Sequence, residues 1–209
     1  EFKNPKYYDN RELSWIKFEH RVLNEAKDKE IPILDRLKFV SITSSNLDEF
    51  FMVRVASLKD MEHAGYTKKD IAGMDAIGKE VHALVEKQYN TYNRSLMPIL
   101  RKEGIRIIGA YEELNEKQAT YVDKYFMEHV YPVLTPMAVD ASRPFPLVRN
   151  KSLNIAALVQ KKDSRDEELE FAMVQVPSVL PRIVELPAGP DGERRVILLE
   201  EVIERNIKD

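Results

Sequence analysis

The strongest constraint in this sequence is a change of period at Gly104. Before it, apolar residues recur at helical spacing; after it, they gather in short runs broken by prolines and charged turns. A chain built this way folds as helices first and as mixed helix and strand second. The predicted class is α + α/β mixed: an N-terminal antiparallel helical bundle followed by an incomplete α+β domain, with the boundary near 104–110. The predicted units are 1–106 and 107–209. With 209 residues there is chain enough for one large or two small domains with real cores.

Within the first unit, Trp15, Phe18, Val22, Leu23 and Ala26 share one stripe, and Ser14 is the predicted cap of that helix. Pro32 suits the first turn of a second helix, where its missing N–H is not needed. Ile33, Leu34, Leu37, Phe39, Val40 and Ile42 make that helix apolar round much of its circumference, which predicts a central position. A third helix is expected from Asn46 to about Lys59. A fourth starts near Thr67 and Asp70, kinks at Pro98 and closes at Gly104. In the second unit Ile105–Ile108 is a predicted strand, and Asn115 with Gln118 is a capping-box pattern opening a helix through about Val130. The stretch YPVLTPMAVDASRPFP is a loop with extended pieces. Leu153–Gln160, Phe171–Val176 and Val196–Leu199 are predicted strands, and Glu200–Lys208 starts a helix.

Several kinds of chemistry have no support. There is no cysteine, which excludes disulfides, thiolate metal sites and cysteine nucleophiles. A net charge of −3, with acids and bases interspersed, argues against a nucleic-acid binder, whose affinity rests on clustered cations. No apolar run approaches the ~20 residues of a membrane span, so no transmembrane segment is expected. No signal-peptide pattern precedes the first helix, and the opening Glu1-Phe2 has the look of a cloning scar. Phosphate loops, G-x-G-x-x-G and H-E-x-x-H are missing. The four histidines, His20, His63, His82 and His129, have no metal-ligand spacing. Adjacent acids such as Asp48-Glu49 and Glu112-Glu113 diverge on a helix and make poor acid–base pairs. Tyr89 and Tyr92 suit a bundle seam better than a base-stacking surface, and Arg143 and Arg149 in RPFPLVRN suit a solvated loop better than an anion site. No catalytic residue is predicted.

One motif admits two readings. In SSNLDEFF, residues 44–51, Asn46 can cap a helix through its side-chain oxygen while Glu49 closes a capping box. Asp48 and Glu49 set negative charge at that helix end, so a phosphate there is repelled and a neutral heterocycle is not. The amide NH2 of a capping asparagine stays able to donate to an adenine ring nitrogen. The cap and the ligand contact can share one side chain.

NRELSWIKFEHRVLNEA at 10–26 and PILDRLKFVSITSSNLDEFFMVRVASL at 32–58 resemble the N-terminal domain of the polyphosphate kinases, the long type that forms a phosphohistidine. LVEKQYNTYNRSLMPILRKEGI and HVYPVLTPMAVDASRPFPLVRNKSLNIA resemble the same family as it runs into its head domain. The resemblance covers nearly the whole chain, and its motifs occur in order. It implies reversible transfer of the terminal phosphate of ATP to inorganic polyphosphate, with Mg²⁺, through a phosphohistidine in C-terminal domains outside these residues. The metal ligands and the polyphosphate tunnel would lie there too, and none of the four histidines matches the phosphorylated one. The resemblance further implies that residues 1–106 form the adenine side of the ATP site, with Asn46 as the nucleotide-binding residue. It implies that 107–209 are part of a head domain that dimerises, giving a homo-oligomer acting on ATP, ADP and polyphosphate. Ser45 departs from the asparagine common there and leaves Asn46 intact. The expected location is cytoplasmic or peripheral to the membrane. On this reading the chain alone is not catalytic. The alternative from a different class is a non-catalytic helical protein-interaction module.

Overall fold

The computed structural model describes residues 3–4, 7–66, 73–139, 145–160, 169–189 and 192–207. The chain divides into two compact units, Glu1–Glu103 and Gly104–Asp209, the first helical and the second mixed. Gly104 has φ +77°, a left-handed conformation that favours glycine and ends the last helix of the first unit.

In the first unit, α1 (Arg11–Glu25) is capped by Asn10, whose side chain accepts from the Leu13 N–H at 3.0 Å. Ser14, the predicted cap, lies inside the helix, because Asn10 already satisfies the open donors one turn earlier. Helix α2 runs Ile33–Phe50, with Pro32 at its N-cap. It continues without a break through a π-helical turn at Phe51–Val55 into α3 (Ala56–His63). Helix α4 (Met74–Thr91) passes through a second π-helical turn, Tyr92–Leu96, into α5 (Met97–Lys102). Thr67 and Asp70, expected at the start of the fourth helix, lie outside the described residues.

The π turn at 92–96 has a local cause. Pro98 has no N–H, and its ring clashes with the carbonyl four residues back. The preceding Met97 N–H bonds five residues back, to Tyr92. The same device recurs at Phe126–Val130, where the Tyr131 N–H bonds to Phe126 just ahead of Pro132.

Cross-links show how the helices run. Ala26 at the end of α1 meets Arg36 at the start of α2, and Glu19 meets Asn46, so α1 and α2 are antiparallel. Asn10 lies against Gly73, and Asn24 accepts from Lys87, so α1 and α4 are parallel. The core holds Ile16, Leu23, Leu47, Phe50, Val55, Ile77, Val81 and Leu84. Burial of α2 is narrower than its composition predicts: Arg36, Thr43, Leu47 and Phe50 are buried, whereas Leu34 is 56% and Ile42 43% exposed. Helix α2 therefore lies against its neighbours on one face only.

The second unit carries two three-stranded sheets. In one, β6 (Arg194–Leu198) lies between β1 (Ile105–Ile108), parallel, and β5 (Ile183–Glu185), antiparallel. In the other, β4 (Glu170–Gln175) lies between β2 (Pro136–Val139) and β3 (Asn154–Val159), antiparallel to both. Helices α6 (Glu116–Tyr125) and α7 (Leu199–Asn206) pack with them on a core that includes Ile108, Val122, Val174, Ile197 and Ile203. Asn115 and Gln118 make the predicted capping box. One of the extended pieces expected in the proline-rich stretch is strand β2, whereas β5, only three residues long, went unforeseen. Arg143 and the charged stretch 161–168 lie outside the described residues.

Candidate functional site

The motif at 44–51 has no helix start in it. It occupies the last turns of α2, and Asn46 accordingly caps nothing. No glycine or proline interrupts residues 33–64, and Ser, Asn and Asp each cost a helix only tenths of a kcal/mol relative to good formers. Tertiary partners settle the matter. The Ser44 hydroxyl accepts from Gln88 Nε2 at 2.7 Å, and the same amide donates to the Val40 carbonyl at 2.9 Å. Leu47 and Phe50 enter the core, and Asp48 and Glu49 lie on the exposed face. The electrostatic argument from a helix end falls with the cap, since the macrodipole charge belongs to the first turn.

Asn46 meets a different partner. Its Nδ2 donates to Glu19 Oε1 at 2.9 Å. Glu19 sits on the buried stripe of α1, with Ile16 and Leu23 at helical spacing on either side, and is fully buried. Asn46 stands beside Leu47 at the edge of the buried stripe of α2 and is half-exposed. Its Oδ1 has no protein partner among the described residues. Glu19 Oε2 is buried and has no hydrogen-bond partner among the described residues. Burial pushes the Glu19 carboxyl above its ordinary value, and the hydrogen bond from Asn46 pulls it partly back.

One turn along each helix, Trp15 and Phe50 stack face to face, with ring centroids 4.4 Å apart and planes 2° apart. Because the helices are antiparallel, this stack is the rung next to the Glu19–Asn46 pair. The π turn follows at once and leaves Phe51, Met52 and Val53 between 42% and 53% exposed. The site thus combines a polar amide at the surface and a buried carboxylate behind it, with exposed apolar residues following in the next turn of the helix. It can hold the edge of a flat heterocycle; it has no group placed to move a proton or attack phosphorus.

A second concavity of about 540 Å³ is lined by Lys27, Glu86, Lys87, Asn90, Thr91 and Ser95. Burial first, and then the charge of Lys27, lowers the Lys87 pKa. His20 is lowered likewise, by burial and then by Lys87. His129 stacks on Tyr125 at 4.9 Å. Tyr89 is 62% exposed, so it is not the seam residue that its spacing predicts. Arg149 lies in an exposed loop. Among the described residues no three acidic or histidine side chains come together as metal ligands, and no helix is long and apolar enough to cross a membrane. The described residues therefore do not assemble a Mg²⁺ site.

Sequence reasoning singled out Asn46 and missed Glu19. The signal was there in one respect: Glu19 interrupts an otherwise apolar stripe on α1, where a carboxylate is costly without a partner.

Comparison with known proteins gives consistent results. Residues 8–108 match the polyphosphate kinase N-terminal domain and residues 117–209 the polyphosphate kinase middle domain. The chain is 49% identical over 203 residues to a polyphosphate kinase of Lactiplantibacillus plantarum, covering 94% of this chain and 28% of that one. It is 48% identical over 210 residues to one of Halalkalibacterium halodurans, covering 97% and 29%. The crystal structure of polyphosphate kinase from Porphyromonas gingivalis superposes with a TM-score of 0.86 at 32% identity, over 96% of this chain and 30% of that one. The chain spans less than a third of the length of these relatives. With both family domains in order along it, the chain belongs to the polyphosphate kinase family, as its N-terminal and head region.

Proposed function

We propose that this chain forms the base-binding side of the ATP site in a polyphosphate kinase that reversibly transfers the terminal phosphate of ATP to inorganic polyphosphate. Residues 1–106 are the adenine-side domain and 107–209 part of the head through which the whole protein self-associates. The phosphohistidine, the Mg²⁺ ligands and the polyphosphate path lie outside these residues.

Membership of the family supports the reaction. The observation that carries the local role is the half-exposed Asn46 carboxamide, with one N–H engaged by Glu19 and its Oδ1 unpartnered. An amide in that state offers an acceptor and a second N–H side by side. That is the complement of adenine, which presents an amino donor next to a ring-nitrogen acceptor. The Ile42 side chain, one turn before Asn46 and exposed, adds apolar surface for a ring. These groups bind and orient; none of them does covalent chemistry.

The test is made on the full-length protein with γ-labelled ATP and Mg²⁺. The reading expects an acid-labile phosphate on the protein and a ladder of long polyphosphate. A folded protein that forms neither product overturns it.

A further inference from the structure

We propose that Glu19 is a specificity-determining positioning residue: by holding one N–H of Asn46 it locks the carboxamide in the orientation that accepts a 6-amino purine and refuses a 6-oxo purine. The inference rests on the reading of Asn46 as the base contact and adds a residue that neither the motif nor the family resemblance names.

Glu19 is an energetic oddity. It is fully buried, yet among the described residues only one of its carboxylate oxygens has a partner. Leaving a buried acceptor unpaired is costly, more so for a charged group, and an apolar residue in this stripe would avoid that cost. The carboxylate does one thing that an apolar residue cannot. It fixes which way the Asn46 amide faces.

An asparagine amide is nearly symmetric in shape, so rotation by half a turn exchanges its oxygen and nitrogen with little steric penalty. An ionised carboxylate is an acceptor only. With Glu19 Oε1 at 2.9 Å from Nδ2, a flip would bring Asn46 Oδ1 against that carboxylate oxygen, two acceptors with no proton between them. Glu19 therefore selects one of two otherwise similar orientations. In the selected one, Nδ2 gives one N–H to Glu19, and the amide edge formed by Oδ1 and the other N–H remains for a ligand.

That edge reads position 6 of a purine. On its N1/N6 edge adenine offers an amino donor to Oδ1 and a ring-nitrogen acceptor, N1, to the remaining N–H, where a 6-oxo purine carries O6 and N1–H instead. Hypoxanthine and guanine carry O6 there, an acceptor facing an acceptor. A freely rotating amide would accommodate them by flipping; one tethered to Glu19 has no such freedom.

Glu19→Gln tests the lock without leaving a cavity. Glutamine has the same shape, and its own amide can either accept from or donate to Asn46, so both orientations become available. The probes are ATP and ITP, whose bases differ at position 6 and at the neighbouring ring nitrogen. In the full-length protein, Glu19→Gln is expected to lower the ratio of kcat/KM for ATP over ITP by about tenfold, the order of one mismatched bidentate base contact, with the change carried by KM. In an Asn46→Ala background the same substitution should leave the ratio where Asn46→Ala alone sets it. Glu19→Gln with the wild-type ratio, in protein that unfolds as cooperatively as wild type, overturns the inference alone if Asn46→Ala raises the ATP KM. If Asn46→Ala changes neither the ATP KM nor the ratio, the base contact itself is wrong, and the lock falls with it.

Discussion

Arg36, in the first turn of α2, reaches back across the helix pair and donates from Nε to the Ala26 carbonyl at 2.8 Å. That carbonyl lies at the C-terminal end of α1, where no basic residue of its own last turn serves the open acceptors. The other arm of the guanidinium donates to Ser95 Oγ at 3.2 Å, beyond the end of α4. One buried arginine thereby joins three helical segments.

Arg36→Leu should accordingly destabilise the helical unit by about 2–4 kcal/mol, since it leaves the Ala26 carbonyl buried without its donor and loses a charge-assisted bond. Trp15 is the only tryptophan and lies in this unit, so urea denaturation followed by its fluorescence reads the unit directly. An unchanged midpoint would show that water replaces the guanidinium without loss.

Glu19 makes the stability of the same unit depend on pH. Its carboxyl is raised by burial above the ordinary 4.5, so in that range the folded state keeps a proton that the unfolded chain has released. Stability therefore falls as pH rises from about 4.5 through the raised value, and the loss is complete above it. Glu200 in the other unit has the opposite sign. Burial raises it, but Arg182 and a backbone N–H outweigh burial and lower it, so its contribution is lost as pH falls through the lowered value. Trp15 fluorescence separates the two. Glu19→Gln should flatten the fall above 4.5 in the helical unit; a slope that survives the substitution assigns it to another group.

The sequence made some of this plain and hid the rest for physical reasons. Gly104, Pro32 and the Asn115–Gln118 box act through their own backbone, so their effects are written locally and all three appear in the structure. Asn46 is the opposite case. Its residue type suits a helix start, but a cap needs a break upstream, and residues 33–45 provide none. The side chain is satisfied instead by a carboxylate 27 residues away, a contact that no local pattern records. Gln88 on Ser44 and Arg36 on Ala26 went unseen for the same reason, as polar residues on helices whose apolar spacing alone drew attention. The short β5 had too few residues to show a period.

In the second unit, Gln118 does more than close the cap. It is fully buried, and its Nε2 donates to the Pro187 carbonyl at 3.0 Å. Asn115→Ala should cost about 1 kcal/mol, the ordinary worth of an N-cap. Gln118→Ala should cost more, about 2–3 kcal/mol, because it also leaves a cavity and an unpaired carbonyl. Native-state hydrogen exchange of the α6 amides measures both, and equal effects would mean that the Pro187 contact contributes nothing.

Whether Asn46 holds the base of ATP, as proposed, is read from the ATP dependence of the full-length Asn46→Ala variant. Loss of a neutral hydrogen bond of about 0.5–1.5 kcal/mol predicts an ATP KM raised about two- to tenfold. The maximal rate at saturating ATP should change less, because the reacting phosphate is not touched. Asn46→Ala also strips Glu19 of its one donor among the described residues, the Asn46 amide, so unfolding followed by Trp15 fluorescence is run beside the kinetics. An ATP KM equal to wild type, in a variant that remains folded, would contradict the account.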